Sequence, residues 1–159
     1  MKAIETRYFS ILNLAVLFAL CGPDKYIAKG NTMDDSKQYK IRIIAGDTIL
    51  TATLYDNPAT RDFIALLPLD LTLEDYAGTE KVSNLPKKLS TEDAPSGFDP
   101  SVGELTYYAP WGNLAIFYKG FGYASGLVSL GKIEQGMEVL TQSRSVNVRM
   151  ELSEKRKIK

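Results

Sequence analysis

The chain has 159 residues, enough for one domain with its own core. Hydrophobic residues make up 45% and charged residues 24%, and 19 basic residues against 19 acidic ones leave no net field to draw in nucleic acid. With no histidine and a single cysteine, Cys21, the chain lacks the usual general base near neutral pH, the commonest metal ligand, intrachain disulfides and cysteine-rich zinc sites.

Residues 1–21 read as a signal peptide: Lys2, Glu5 and Arg7 precede an apolar run, Ile11 to Leu20, broken by Cys21-Gly22-Pro23. The run is too short to span a bilayer, which takes about 20 apolar residues. Phe18-Ala19-Leu20-Cys21 resembles a bacterial lipoprotein box, although Leu20 stands where a small residue is usual and Phe18 where Leu is usual. Cys21 is the candidate lipidation site, and on that reading the protein is exported and meets the membrane through a lipid anchor. Simple export to the periplasm or exterior, and a cytoplasmic chain with an odd apolar leader, are the alternatives. Residues 22–38 are polar, with Gly30, Asn31, Asp34, Asp35 and Ser36, and read as a flexible linker.

The domain is expected over 39–152. Tyr39 to Ile44 and Thr48 to Tyr55 are rich in β-formers and flank a Gly46-Asp47 turn, which predicts a hairpin. Asn57-Pro58 gives an N-cap followed by proline at the first helical position; the helix runs from Ala59 to Leu67 and Pro68 ends it. Leu69, Leu71 and Leu73 alternate with polar residues, as a half-buried strand running on to Tyr76. Gly78 to Leu89 reads as a loop, and so does Thr91 to Val102, with Pro95, Gly97 and Pro100. Glu104 to Ala109 and Leu114 to Lys119 are strands joined by the tight connection Pro110-Trp111-Gly112-Asn113. A glycine–aromatic loop, Gly120 to Tyr123, leads to a strand over Leu127 to Ile133. One or two helical turns over Glu134 to Leu140 and a last alternating strand, Ser145 to Leu152, complete the domain. Residues 153–159 hold Lys155, Arg156, Lys157 and Lys159 and read as a solvated basic tail. Short strands with glycine-rich turns at this spacing predict a mainly β fold: a closed barrel of about eight strands with one or two short helices.

Seven aromatic residues fall between Tyr107 and Tyr123, which suggests an aromatic wall with Asn113 as an orienting hydrogen-bonder. Tyr107 and Phe117, on strands, read first as barrel filling. Trp111 and Asn113, in a connection, are better placed for binding. Glu80 beside Lys81 offers an exposed loop pair, a buried ion pair or a tuned carboxylate, and Glu104 a second carboxylate for the same cleft. Glu74 and Asp75 are adjacent and point to opposite faces of a strand, so they form no pair. Gly120-Phe-Gly lacks a third glycine, a following helix and a P-loop lysine, so it is a turn and not a phosphate cradle. No spacing fits a calcium loop, and a Ser-His-Asp arrangement is impossible without histidine.

Leu54-Tyr-Asp-Asn-Pro58, Leu67-Pro-Leu69, Leu73-Glu-Asp-Tyr76, Tyr108-Ala-Pro-Trp-Gly-Asn-Leu-Ala-Ile-Phe-Tyr118 and Gly126-Leu-Val-Ser-Leu-Gly-Lys-Ile133 together resemble the bacterial cyclophilin-like family. The resemblance covers Tyr39 to Leu152 and implies a compact cyclophilin-like barrel with a helix capping an end. Cyclophilin itself is a prolyl isomerase with a Phe-His-Arg segment and a Phe-Met-x-Gln-Gly-Gly-Asp segment; neither occurs here, and Arg61 falls on the predicted helix instead of a barrel strand. The expectation is a domain that binds a small molecule or peptide in a cleft between the Trp111 loop and the Gly78–Leu89 loop. Its candidate ligand-binding residues are Trp111, Asn113, Tyr107, Tyr118, Glu80, Glu104 and Arg61. No cofactor, metal or nucleic acid is expected. The alternative is a weak isomerase-like or other enzyme using Glu80, Glu104, Tyr107 or Arg61.

Overall fold

A computed structural model describes residues 39–153. The signal peptide with Cys21, the linker at 22–38 and the basic tail beyond Ser153 lie outside the described residues. Eight antiparallel strands close into a barrel. In chain order they are β1 (Tyr39–Ala45), β2 (Thr48–Leu54), β3 (Leu69–Tyr76), β4 (Glu80–Asn84), β6 (Glu104–Tyr108), β7 (Asn113–Phe117), β9 (Leu127–Gln135) and β10 (Ser145–Leu152); the intervening β5 (Gly97–Phe98) and β8 (Ala124–Ser125) pair only with each other. Around the barrel the order is β1, β10, β3, β4, β7, β6, β9, β2. The closed barrel with short helices agrees with the sequence expectation.

Side chains alternate in and out along each strand. Ile41, Ile43, Leu50, Leu54, Leu73, Leu105, Tyr107, Leu114, Ile116 and Met150 fill the interior and are almost fully buried. The helix α1 (Pro58–Leu66) adds Ala59 and Phe63 to this core. It starts at Asn57, whose Oδ1 accepts from the Thr60 N–H at 2.8 Å, with proline at the first position. β2 ends and β3 begins at the same end of the antiparallel barrel, so α1 closes that end. The short α2 (Glu138–Thr141) lies between β9 and β10, at the opposite end, and buries Leu140.

A second apolar cluster lies outside the barrel. Ala115, Phe117 and Leu127 are buried there, against Val82, Phe98, Tyr108 and Ala124. Strand β7 is therefore buried on both faces, since the β5–β8 flap covers its outer side.

Four strands depart from the sequence expectation. Glu80 to Asn84 is a strand and not part of a loop; its one apolar residue, Val82, gives no alternation to read. The two-residue strand β5 lies in a segment that reads as a loop, and β8 in the short stretch between the glycine–aromatic loop and the next expected strand. Glu134 belongs to strand β9, not to a helical turn.

Candidate functional site

The outer face of β4, β7 and β6 carries a groove of about 310 Å³. Its floor is Ala115, Phe117 and Leu127, and its walls are Tyr76, Tyr108, Trp111 and Phe121. Trp111, at the turn between β6 and β7, keeps 59% of its surface exposed, although it meets Tyr76 and Tyr108 edge to face at 5.6 and 5.4 Å. Phe121 packs on Phe117 at 5.9 Å from the loop after β7. A second, more polar cleft of about 410 Å³ runs over β3 and β4, lined by Asp70, Thr72, Glu74 and Asn84. Trp111 and Asn113 border both clefts.

Asn113 opens β7 with 4% of its surface exposed. Its Nδ2 donates to the Leu114 carbonyl at 3.4 Å, and its Oδ1 is buried with no partner among the described residues. Turning the amide over would face oxygen against oxygen, so the unpartnered atom is the acceptor.

Glu80 lines the far end of the groove, from the first position of β4. Burial pushes its carboxyl above the ordinary value. Lys81, the next residue, points the other way and is fully buried in the barrel. Its Nζ donates to the Ser143 and Arg144 carbonyls at 2.5 and 3.1 Å and lies 3.4 Å from the Asp75 carboxylate. The buried ion pair at this position is thus Lys81–Asp75, and Glu80 takes no part in it. Tyr118 donates to Asp75 at 2.5 Å. Burial and the Asp75 carboxylate push the Tyr118 phenol up to about 12; the Tyr118 hydrogen bond, above all, holds Asp75 below its ordinary value.

Of the seven residues that the sequence nominated, the groove brings together Trp111, Asn113 and Glu80. Tyr107 faces the barrel interior with 1% exposed, because the strand alternation that turns Tyr108 outward turns Tyr107 in. Tyr118 is engaged with Asp75, on the side of the buried Lys81, and does not line the groove. Glu104 faces outward on β6, accepts from Ser101 and Ser129 at 3.1 and 2.5 Å, and does not line the groove; Phe117 on β7 stands between it and Glu80. Arg61 lies exposed on α1 in an ion pair with Asp56 at 2.5 Å. The shared cleft of Glu80 with Glu104, and a role there for Tyr107 or Arg61, are therefore not what the fold builds. Sequence reasoning named Phe121 only within the aromatic cluster and missed Tyr76 and Leu127; the signal available for Tyr76 was its place at the end of an alternating strand. Among the described residues no three carboxylate or cysteine side chains converge closely enough to hold a metal ion.

A family model described as the cyclophilin-like family matches residues 43–151. No curated protein matches the chain. Among solved structures, the chain is similar to a hypothetical protein from Archaeoglobus fulgidus determined in solution, with a TM-score of 0.54, 17% identity, and coverage of 73% of this chain and 95% of that one. At that identity the likeness concerns the fold. A match over nearly all of the barrel settles the family: this chain belongs to the cyclophilin-like family.

Proposed function

We propose that this protein is an exported binding module that holds a small apolar molecule, or an apolar stretch of peptide, in the groove beneath Trp111. The observation that carries the reading is the Asn113 Oδ1, buried at the groove without a partner. A stranded buried acceptor costs about 1–3 kcal/mol, and an occupant with an N–H or O–H donor recovers it. The exposed aromatic walls supply the apolar contact that concave ligand sites use. Export rests on the apolar run Ile11–Leu20 and on Cys21, with lipidation at Cys21 the form of anchoring that the sequence supports. Mass spectrometry of the mature N-terminus tests that part.

Binding is tested with Nile red, a neutral apolar dye whose emission rises on leaving water. Trp111→Ala, with its fold checked by far-UV circular dichroism, is expected to weaken dye binding by roughly tenfold or more, the scale of losing a large aromatic contact. Unchanged affinity in the folded variant removes the groove as the site. The groove offers binding contacts without the segments that cyclophilin uses in catalysis, so a protease-coupled assay on a proline peptide is expected to show no acceleration.

A further inference from the structure

Glu80 stands apart from the other carboxylates. Asp62, Asp75, Glu104 and Glu151 are each at least half-buried and each accept a hydrogen bond or pair with a cation. Glu74, Glu92, Asp93, Asp99 and Glu138 have no such partner, but they lie in solvent. Among the described residues Glu80 is the half-buried carboxylate with neither a hydrogen bond nor an ion pair, and it is the single charged side chain lining the groove. Burying a carboxylate without a counter-charge is unfavourable, and here no residue of the groove offsets it.

The other groove features point the same way. Asn113 presents an acceptor, not a donor. Tyr76, Trp111, Phe117 and Phe121 supply aromatic rings, which attract cations to their faces. An anionic ligand would meet Glu80 with repulsion, and a neutral one would bury the carboxylate further without pairing it.

We propose that the groove takes an organic ammonium ion, a protonated amine on an apolar body, with the ammonium against Glu80 and the body along Ala115, Leu127 and the aromatic walls. This deepens the binding reading above and rests on it. Glu80 pairs with Phe117 and Asn84 with Asn113, so the two acceptors are four strand positions apart, or ~13 Å along the sheet. A ligand that spans the groove therefore carries a second hydrogen-bond donor at the Asn113 end.

The chain's one tryptophan is Trp111, so its emission reports on the two clefts it borders, and Glu80→Gln tells them apart because Glu80 lines only the aromatic groove. The probes are 2-phenylethylammonium and 2-phenylethanol, which share size and body and differ in charge. In the full chain the ammonium is expected to bind roughly tenfold tighter than the alcohol. In Glu80→Gln that preference is expected to shrink below about twofold, with the alcohol unaffected. The substitution removes an unpaired charge, so the variant is expected to fold at least as well as the parent. Equal affinity for both probes in the parent chain overturns the proposal, as does a preference that survives Glu80→Gln. If Nile red binds while the ammonium shows no advantage, the ammonium proposal alone falls; if neither Nile red nor either probe binds, the binding reading falls with it.

Discussion

Lys81 carries an ammonium group into the barrel with none of its side chain exposed. Two backbone carbonyls and Asp75 satisfy it, and those carbonyls belong to the segment between α2 and β10. The lysine thus pins the chain that closes one end of the barrel. Truncation in Lys81→Ala leaves a cavity and takes the ammonium from the Ser143 carbonyl and Asp75, while the Arg144 carbonyl keeps the Asp75 N–H at 2.7 Å; it is expected to cost about 3 kcal/mol by urea denaturation. Lys81→Met refills the space but not the hydrogen bonds, so a smaller loss of about 1–2 kcal/mol is expected. A Met variant as destabilised as the Ala variant would show that the hydrogen bonds, not packing, dominate. Glu80 and Lys81 are adjacent in sequence, and the residues alone left open whether they pair with each other. Strand alternation sends one into the groove and the other into the core, and that alternation became readable only once β4 was known to be a strand.

At the scale of elements, Asn57 does two jobs. Its Oδ1 caps α1, and its Nδ2 donates to the Ser129 carbonyl on β9 at 2.9 Å. Beside it the register between β6 and β9 slips at Leu105–Thr106, a bulge that passes over Leu130, whose carbonyl accepts from Tyr55 N–H and Thr60 Oγ1 at 2.9 and 3.2 Å. The helix therefore docks on a defect of the sheet. Asn57→Ala is expected to lose both the cap and the tether, about 2 kcal/mol together, where a cap alone accounts for ~1 kcal/mol. Asn57→Ser keeps a cap oxygen but cannot reach β9, so chemical denaturation of the pair separates the two contributions. Asn-Pro made this helix legible in the sequence, because the cap and the proline act within one turn. The flap strands β5 and β8 were not legible: two residues carry no period, and Gly97 lies so close to β8 that an added Cβ would come within 2.2 Å of the Ala124 carbonyl. That contact joins residues far apart in the chain, which local pattern does not register.

Across the whole molecule, stability is set to be flat near neutral pH and to fail at both limits. The chain has no histidine, so among the described residues no side chain with an ordinary pKa titrates between roughly pH 6 and 9. Asp75 and Glu134 have carboxyls held below their ordinary values in the folded state, so the stability they contribute is present above the ordinary carboxylate range and is lost as pH falls through the lowered values. Tyr118 is the reverse case: its contribution is full below 10.0 and is lost as pH rises towards about 12. Tyr118→Phe is expected to flatten the alkaline limb of a urea-midpoint profile; an unchanged limb would move that role to another group. The sequence by itself determined the barrel class, the capped helix, the clustering of aromatics around Trp111 and the exclusion of histidine chemistry and of intrachain disulfides, because strand period, capping and composition are legible without knowing the fold. Tertiary structure alone decided that Tyr107 fills the core while Tyr108 faces the groove, that Lys81 pairs with Asp75, and that Glu80 is left without a partner at the end of an aromatic groove. Those outcomes depend on which strands lie side by side when the barrel closes, and on which outer face the flap covers.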